Sequence, residues 1–203
     1  MDGKLMKVTF PLPTDGRMHR YCLSCNADGV ARIKHDGIIT YHCETCGEDN
    51  ERALYFDKHK CWLDDQQQLW HESAVVFVRR KDGKYLFYLR TEFPFKLTIP
   101  SGHVDIGEDP ETSAKRELQE ETGLTGNLSA VGDSDIDGDS CSAGADNHRL
   151  HAFLLEFDDS DDNVRIFEEG DKPLWLTLED AKSQGMAFVA EAATSILGER
   201  AQQ

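Results

Sequence analysis

The chain has 203 residues, 39% of them apolar, which suffices for one ordinary domain with a sizeable core plus a small appendage. Its 38 Asp and Glu against 22 Lys and Arg leave a formal net charge of -16. Such a field repels polyphosphate backbones and anionic lipid, so it excludes broad nucleic-acid binding and membrane binding through a basic surface.

The charge is unevenly placed: residues 1–60 carry nine basic and nine acidic side chains, and the whole excess falls in 61–203. Residues 1–8 lack the long apolar stretch of a secretory signal, and the longest apolar run, Ala74 to Val78, is far too short for a membrane span. The expectation is a soluble, cytoplasmic protein. Cys22/Cys25 and Cys43/Cys46 form two Cys-x-x-Cys pairs seventeen residues apart, a spacing that reads as zinc. Between them Val30–Lys34, a turn at His35-Asp36-Gly37 and the β-prone Ile38–His42 predict a hairpin with a knuckle at each end, hence a zinc ribbon over residues 1–50. Four thiolates close the coordination shell, so this Zn²⁺ is expected to be structural. His19, His35 and His42 read as surface or supporting histidines, and Cys61 and Cys141 as buried or idle thiols.

Residues 51–72 are polar, run through Gln66-Gln67-Gln68, and are expected to be a linker that becomes helical where it joins the main domain. A hairpin follows, with strands at Ser73–Arg80 and Tyr85–Arg90 around an Asp82-Gly83 turn. Neither strand alternates cleanly, which predicts that both faces are covered. Further strands are expected at Asn127–Val131, His148–Phe157 and Leu174–Leu176, and helices at Leu178–Gln184 and Ala187–Leu197. Residues 73–203 therefore read as an α/β (α+β) sandwich with a mixed sheet. Asp133-Ser134-Asp135-Ile136-Asp137-Gly138 opens like a calcium loop, but its twelfth position is Gly144, so it reads as a mobile acidic connection between strands. Asp158-Asp159-Ser160-Asp161-Asp162 reads as a second acidic turn.

The most informative stretch lies between the hairpin and the later strands. Asp109 can cap a helix that starts at Pro110, Glu111 suits its first turn, and Gly123 sits where it should stop, which predicts a helix over 110–122. Glu117, Glu120 and Glu121 stand at i, i+3 and i+4 and so share a face. Like charges at this spacing destabilise a bare helix by a few tenths of a kcal/mol, roughly, per pair, so a merely solvated charged helix is the weaker reading. Hard carboxylate oxygens instead select Mg²⁺ or Mn²⁺, which bridge naturally to substrate phosphates.

From Gly102 through Glu108 and Arg116-Glu117-Leu118-Gln119-Glu120-Glu121 to Leu124, the chain fills every specified position of the 23-residue signature of Nudix hydrolases, which it therefore resembles. The resemblance implies that water attacks phosphorus in a nucleoside diphosphate linked to another moiety, with no covalent enzyme intermediate. It makes Glu120 and Glu121 the main ligands of Mg²⁺ or Mn²⁺ and Glu117 a further ligand or the general base. The Gly102 carbonyl is implied as a ligand, Glu108 as an outer or second-metal carboxylate, and Arg116 as an orienting partner whose i+4 neighbour is Glu120. Glu168 or Glu169 is a second candidate for the base, from a late loop. Ribbon followed by sandwich is also the order in NADH pyrophosphatases, but their Ser-Gln-Pro-Trp-Pro-Phe-Pro motif is absent at 131–138, and 126–172 contains no proline. No substrate subclass follows. Phe93, Phe95, Tyr88 and Trp175 are candidates to stack on a base, with core packing the commoner role. Family members are often dimers, which makes a homodimer one candidate assembly; the sequence does not fix the oligomeric state. The rival reading, from another class, is a nucleotide-sensing module whose ribbon contacts a partner.

Overall fold

The computed structural model describes residues 8, 10–35, 38–138, 144–158, 164–167 and 170–200, with side chains to 198. In chain order the N-terminal strands are β1 (His19–Tyr21), β2 (Ala31–His35), β3 (Ile38–His42), β4 (Asp49–Asn50), β5 (Leu54–Phe56) and β6 (Cys61–Leu63). The sandwich adds β7 (Leu69–Arg79), β8 (Tyr85–Leu89), β9 (Leu97–Thr98), β10 (Ser101–His103), α1 (Pro110–Thr122), β11 (Ser129–Asp137), β12 (Asn147–Glu156), β13 (Leu174–Leu176), α2 (Leu178–Gln184) and α3 (Phe188–Arg200).

The long strand β7 is the axis of the fold. One edge pairs in parallel with β12 along its whole length, and the other receives β6, β10 and the start of β8 in antiparallel register. The sheet is therefore mixed, in the order β11-β12-β7-β8-β13. Ala74 through Val78 are fully buried, because both faces of β7 are covered. Val75 and Phe77 pack with Leu150, Ala152 and the α2 and α3 residues Ala181, Ala190, Ala193 and Ile196. Ala74, Val76 and Val78 pack with Ala114 and Leu118 of α1 and with Phe153 and Leu155 of β12. Each buried Val, Leu or Phe side chain contributes roughly 1.5–3 kcal/mol.

The expected helical linker does not form. Leu54–Phe56 pairs with His19–Tyr21, and Leu54 joins Tyr21, Cys61 and Leu69 in a core of its own. Trp62 stands opposite Trp70, so β7 begins at Leu69 rather than at residue 73. The three glutamines lie in the β6–β7 turn: the Asp64 carboxylate accepts the Gln66 and Gln68 N–H groups at 2.8 and 2.9 Å, and Gln67 takes φ +61°. A short side chain that satisfies turn amides outweighs the weak helical preference of a glutamine run.

The acidic stretch 133–137 is likewise no loop. It belongs to β11, where Asp133 and Asp135 stand opposite His151 and Arg149 on β12. Asp133 meets His151 at 2.7 Å and Asp135 meets Arg149 at 2.8 Å, so cross-strand side-chain pairs hold the strand. Of the second acidic turn, Asp158 pairs with Lys81 at 3.1 Å, and 159–162 lie outside the described residues. The ribbon hairpin forms as expected, with Ala31 through His35 opposite His42 through Ile38; Asp36 and Gly37 lie outside the described residues.

Candidate functional site

Local chemistry sets the bounds of α1. The Asp109 carboxylate accepts the Thr112 N–H at 2.9 Å, Pro110 opens the helix, and Gly123 at φ +72° closes it by donating its N–H to the Gln119 carbonyl. Ala114 and Leu118 face the sheet, and Ser113 Oγ donates to the His103 carbonyl at 3.2 Å. This contact lays the helix along β10 and brings its acidic flank to Gly102.

Glu117 sits directly on Gly102: a Cβ there would lie 2.0 Å from the Glu117 carboxylate carbon, so no other residue fits without displacing the acid. Arg116 donates to Glu117 at 2.5 Å, approaches Glu108 at 3.4 Å and Glu120 at 3.5 Å, and also reaches the His103 carbonyl at 3.3 Å. The expected Arg116–Glu120 pair thus exists, but Glu117 is the closer partner. Burial opposes ionisation of Glu108, yet the Asp105 N–H and the Arg116 guanidinium win and hold its carboxyl below the usual carboxylate range. Glu120 is the open member, with its side chain 62% exposed.

Glu121 turns inward. It is 7% exposed, and its Oε2 accepts both the Tyr88 hydroxyl at 3.0 Å and the Ser101 N–H at 2.9 Å. Tyr88 was open to base stacking on sequence grounds; it is fully buried instead. The signal in the sequence is that a buried Tyr hydroxyl usually finds a partner, though nothing local names Glu121. Trp175 is partly buried, stacked on Phe157 at 5.4 Å with the Arg80 guanidinium 3.9 Å above it. Phe93 carries the Arg52 guanidinium at 4.9 Å, and Phe95 is 37% exposed. A late segment docks on the helix end as well, where the Phe167 N–H donates to the Glu121 carbonyl at 3.0 Å. Glu168 and Glu169 lie outside the described residues.

Glu117, Glu120 and Glu121 share one flank of α1, but Glu117 and Glu120 both pair with Arg116, while Glu121 is held by Tyr88 and Ser101. Among the described residues, only the four cysteines bring three or more ligand atoms within 4.8 Å of one another. The carboxylate flank, the Gly102 backbone and Arg116 form an oxygen-rich, acid-lined surface suited to a hard divalent cation with an anionic substrate.

The second cluster is the ribbon. Cys22 and Cys46 sulfurs lie 3.7 Å apart and Cys25 and Cys43 sulfurs 3.6 Å apart, close to the ~3.8 Å edge of a tetrahedron with 2.3 Å Zn–S bonds. The Cys46 and Thr45 N–H groups point at the Cys43 sulfur and, against burial, bring that thiol down to about 6, the thiolate a metal needs. His19 and His42 are held by Asp15, Asp28 and Asp49, and Cys61 stands apart, donating to the Asp57 carbonyl. Cys141 lies outside the described residues.

The N-terminal half meets the sheet's loops. The Ile106 N–H, in the loop before α1, donates to the His59 carbonyl at 2.7 Å, and Arg32 pairs with Glu92 at 3.0 Å. Both loops that flank β9 and β10 are thereby held by the N-terminal half.

Comparison with known proteins agrees with this architecture. The chain is 33% identical over 117 residues to an ADP-ribose pyrophosphatase of Bacillus subtilis, covering 55% of this chain and 61% of that protein. It is 27% identical over 114 residues to diphosphoinositol polyphosphate phosphohydrolase 3-alpha of Mus musculus, covering 54% of this chain and 64% of the relative. The match thus spans about six tenths of the length of these curated relatives. Among solved structures, the NUDIX domain of Shewanella oneidensis NrtR, complexed with ADP ribose, superposes with a TM-score of 0.51 at 18% identity, covering 64% of this chain and 87% of that one. RenU, a Nudix hydrolase of M. smegmatis, gives 0.50 at 13% identity over 70% and 94% of the two chains, a likeness of fold. A model of the NUDIX domain matches residues 69–194, the stretch that holds β7, the acidic helix and the closing helices, and the chain belongs to that family.

Proposed function

We propose that this protein is a Mg²⁺- or Mn²⁺-dependent pyrophosphohydrolase that cleaves a nucleoside diphosphate linked to another moiety, with water attacking phosphorus. The observation that carries the reading is the seating of Glu117 on the bare backbone of Gly102, with Arg116 spanning Glu108, Glu117 and Glu120. In this reading Glu120, Glu121 and Glu117 hold the divalent ion, aided by the Gly102 carbonyl, and Glu108 lies outside them. The bound ion would supply charge neutralisation for the diphosphate. Arg116 fixes its neighbouring carboxylates in direction. Glu117 is the first candidate for the general base and Glu169 the second. The four cysteines hold a structural Zn²⁺, supported by their sulfur spacing. The protein works in the cytoplasm on a small nucleotide.

ADP-ribose heads the list of substrates to test, because two similar proteins bear that activity in their names. Purified protein is to be assayed with Mg²⁺ and Mn²⁺ against ADP-ribose, NADH, nucleoside triphosphates, dinucleoside polyphosphates and nucleotide sugars. The expected result is metal-dependent release of a nucleoside monophosphate from one of these classes. Nucleotide binding that raises the melting temperature, with no product from any of them, would overturn the hydrolase in favour of a sensor.

A further inference from the structure

We propose that Tyr88 is a positioning residue for Glu121, and that Gly170 in turn sets the position of Tyr88. Tyr88 has this role through Glu121 as a ligand of the divalent ion, the reading proposed above. The Tyr88 ring is wholly buried, and its hydroxyl donates to Glu121 Oε2 at 3.0 Å. The Ser101 N–H donates to the same oxygen at 2.9 Å. Two donors from two strands, β8 and β10, fix one oxygen and therefore the plane of the carboxylate. A glutamate at the end of a helix otherwise samples several side-chain rotamers. Orientation of this kind is what the groups behind a metal ligand contribute, commonly 10–100-fold in affinity.

The ring itself has little choice of place. A Cβ on Gly170 would lie 2.3 Å from Tyr88 Cδ2 and 2.6 Å from Ile166 Cγ2, so the Gly170 backbone packs flat against the ring. Gly170 is bridged to Arg90, two residues beyond Tyr88 on the same chain run. Three residues before Gly170, the Phe167 N–H binds the Glu121 backbone carbonyl. Phe167 and Gly170 therefore reach Glu121 by two routes: directly at its main chain, and through Tyr88 at its carboxylate. Gly170 has no left-handed backbone requirement, so its lack of a side chain serves this contact rather than a turn.

The test is Mn²⁺ binding to the full-length chain without substrate, read from the loss of the free-ion electron paramagnetic resonance signal, beside the Mg²⁺ concentration that half-activates turnover. Tyr88→Phe keeps the ring and removes the donor; Mn²⁺ binding is expected to weaken about tenfold, and half-activation by Mg²⁺ to shift by the same factor. KM for nucleotide at saturating Mg²⁺ stays at the wild-type value. Gly170→Ala keeps the hydroxyl but displaces the ring, and is expected to give the same shift. Wild-type Mn²⁺ affinity in folded Tyr88→Phe would overturn the role of Tyr88. Absence of Mn²⁺ binding by the wild type, or binding that Glu120→Gln leaves untouched, would overturn the metal-ligand reading itself.

Discussion

Gly102 shows how little room a single residue can leave. An added methyl would lie 2.0 Å from the carboxylate carbon of Glu117 and 2.2 Å from its Oε1, so Gly102→Ala must push the acid off β10. A displacement of about 1 Å at such a site costs on the order of 100-fold in turnover. Steady-state assays should show that loss with the melting temperature nearly unchanged, since Glu117 lies at the edge of the core. The residues that carry this contact were legible from spacing alone, because Gly102, Arg116 and the glutamates stand at fixed offsets that a helix converts into one flank. Tyr88 was not legible as a partner of Glu121. The two are 33 residues apart, and only the sheet brings them together.

At the scale of elements, α1 is held by its cap and by its apolar edge. Asp109→Ala removes the acceptor of the Thr112 N–H and should cost about 1 kcal/mol in urea unfolding. Leu118 is fully buried against β7 and β12, so Leu118→Ala should cost about 2–5 kcal/mol. A loss below about 1 kcal/mol would mean that the helix is not clamped to the sheet as described. Elements whose partners lie nearby in sequence or in their own caps could be read directly: α1, the 73–90 hairpin and the ribbon hairpin. Two could not. The acidic run 133–137 is a strand because Arg149 and His151 stand across from Asp135 and Asp133, and such pairing is invisible until the register is known. Gln66-Gln67-Gln68 is a turn because Asp64 satisfies its amides. Local sequence was a poor guide at both places, an acidic run read as a loop and a glutamine run read as helical, because the deciding contacts came from another segment or from one short side chain.

Across the whole molecule, the joint between the N-terminal half and the sheet contains a cluster of buried histidines. His71 and His148 are nearly inaccessible; their rings are 5.7 Å apart, and His148 shares a 2.7 Å hydrogen bond with Ser73. Burial, followed by the neighbouring His103, pushes His148 down to about 3, and burial likewise holds His71 well below the ordinary histidine range. Both are neutral in the fold, while the unfolded chain protonates them below about pH 6.5. Their contribution to stability is therefore complete above that pH and is lost as pH falls toward the folded values. The slope approaches about 1.4 kcal/mol per pH unit for each histidine. Urea unfolding at pH 7 and pH 5 should show the loss, and His148→Leu should flatten the acid limb by about one proton. The -16 charge takes on a narrower meaning at this scale. Part of it is paired across β11 and β12, and part is gathered at Glu108, Glu117, Glu120 and Glu121, the carboxylates that the proposed function assigns to a divalent ion.

Glu120 is the exposed carboxylate of that group, and its side chain supports no part of the core, so it separates chemistry from folding most cleanly. Hydrolysis of the substrate identified by the screen should be compared between wild type and Glu120→Gln at saturating Mg²⁺, with melting temperatures recorded alongside. A fall in kcat of at least about 100-fold is expected, on the scale of removing a major electrostatic contributor, in a protein that melts as the wild type does. Turnover within about twofold of wild type in the folded variant would contradict it.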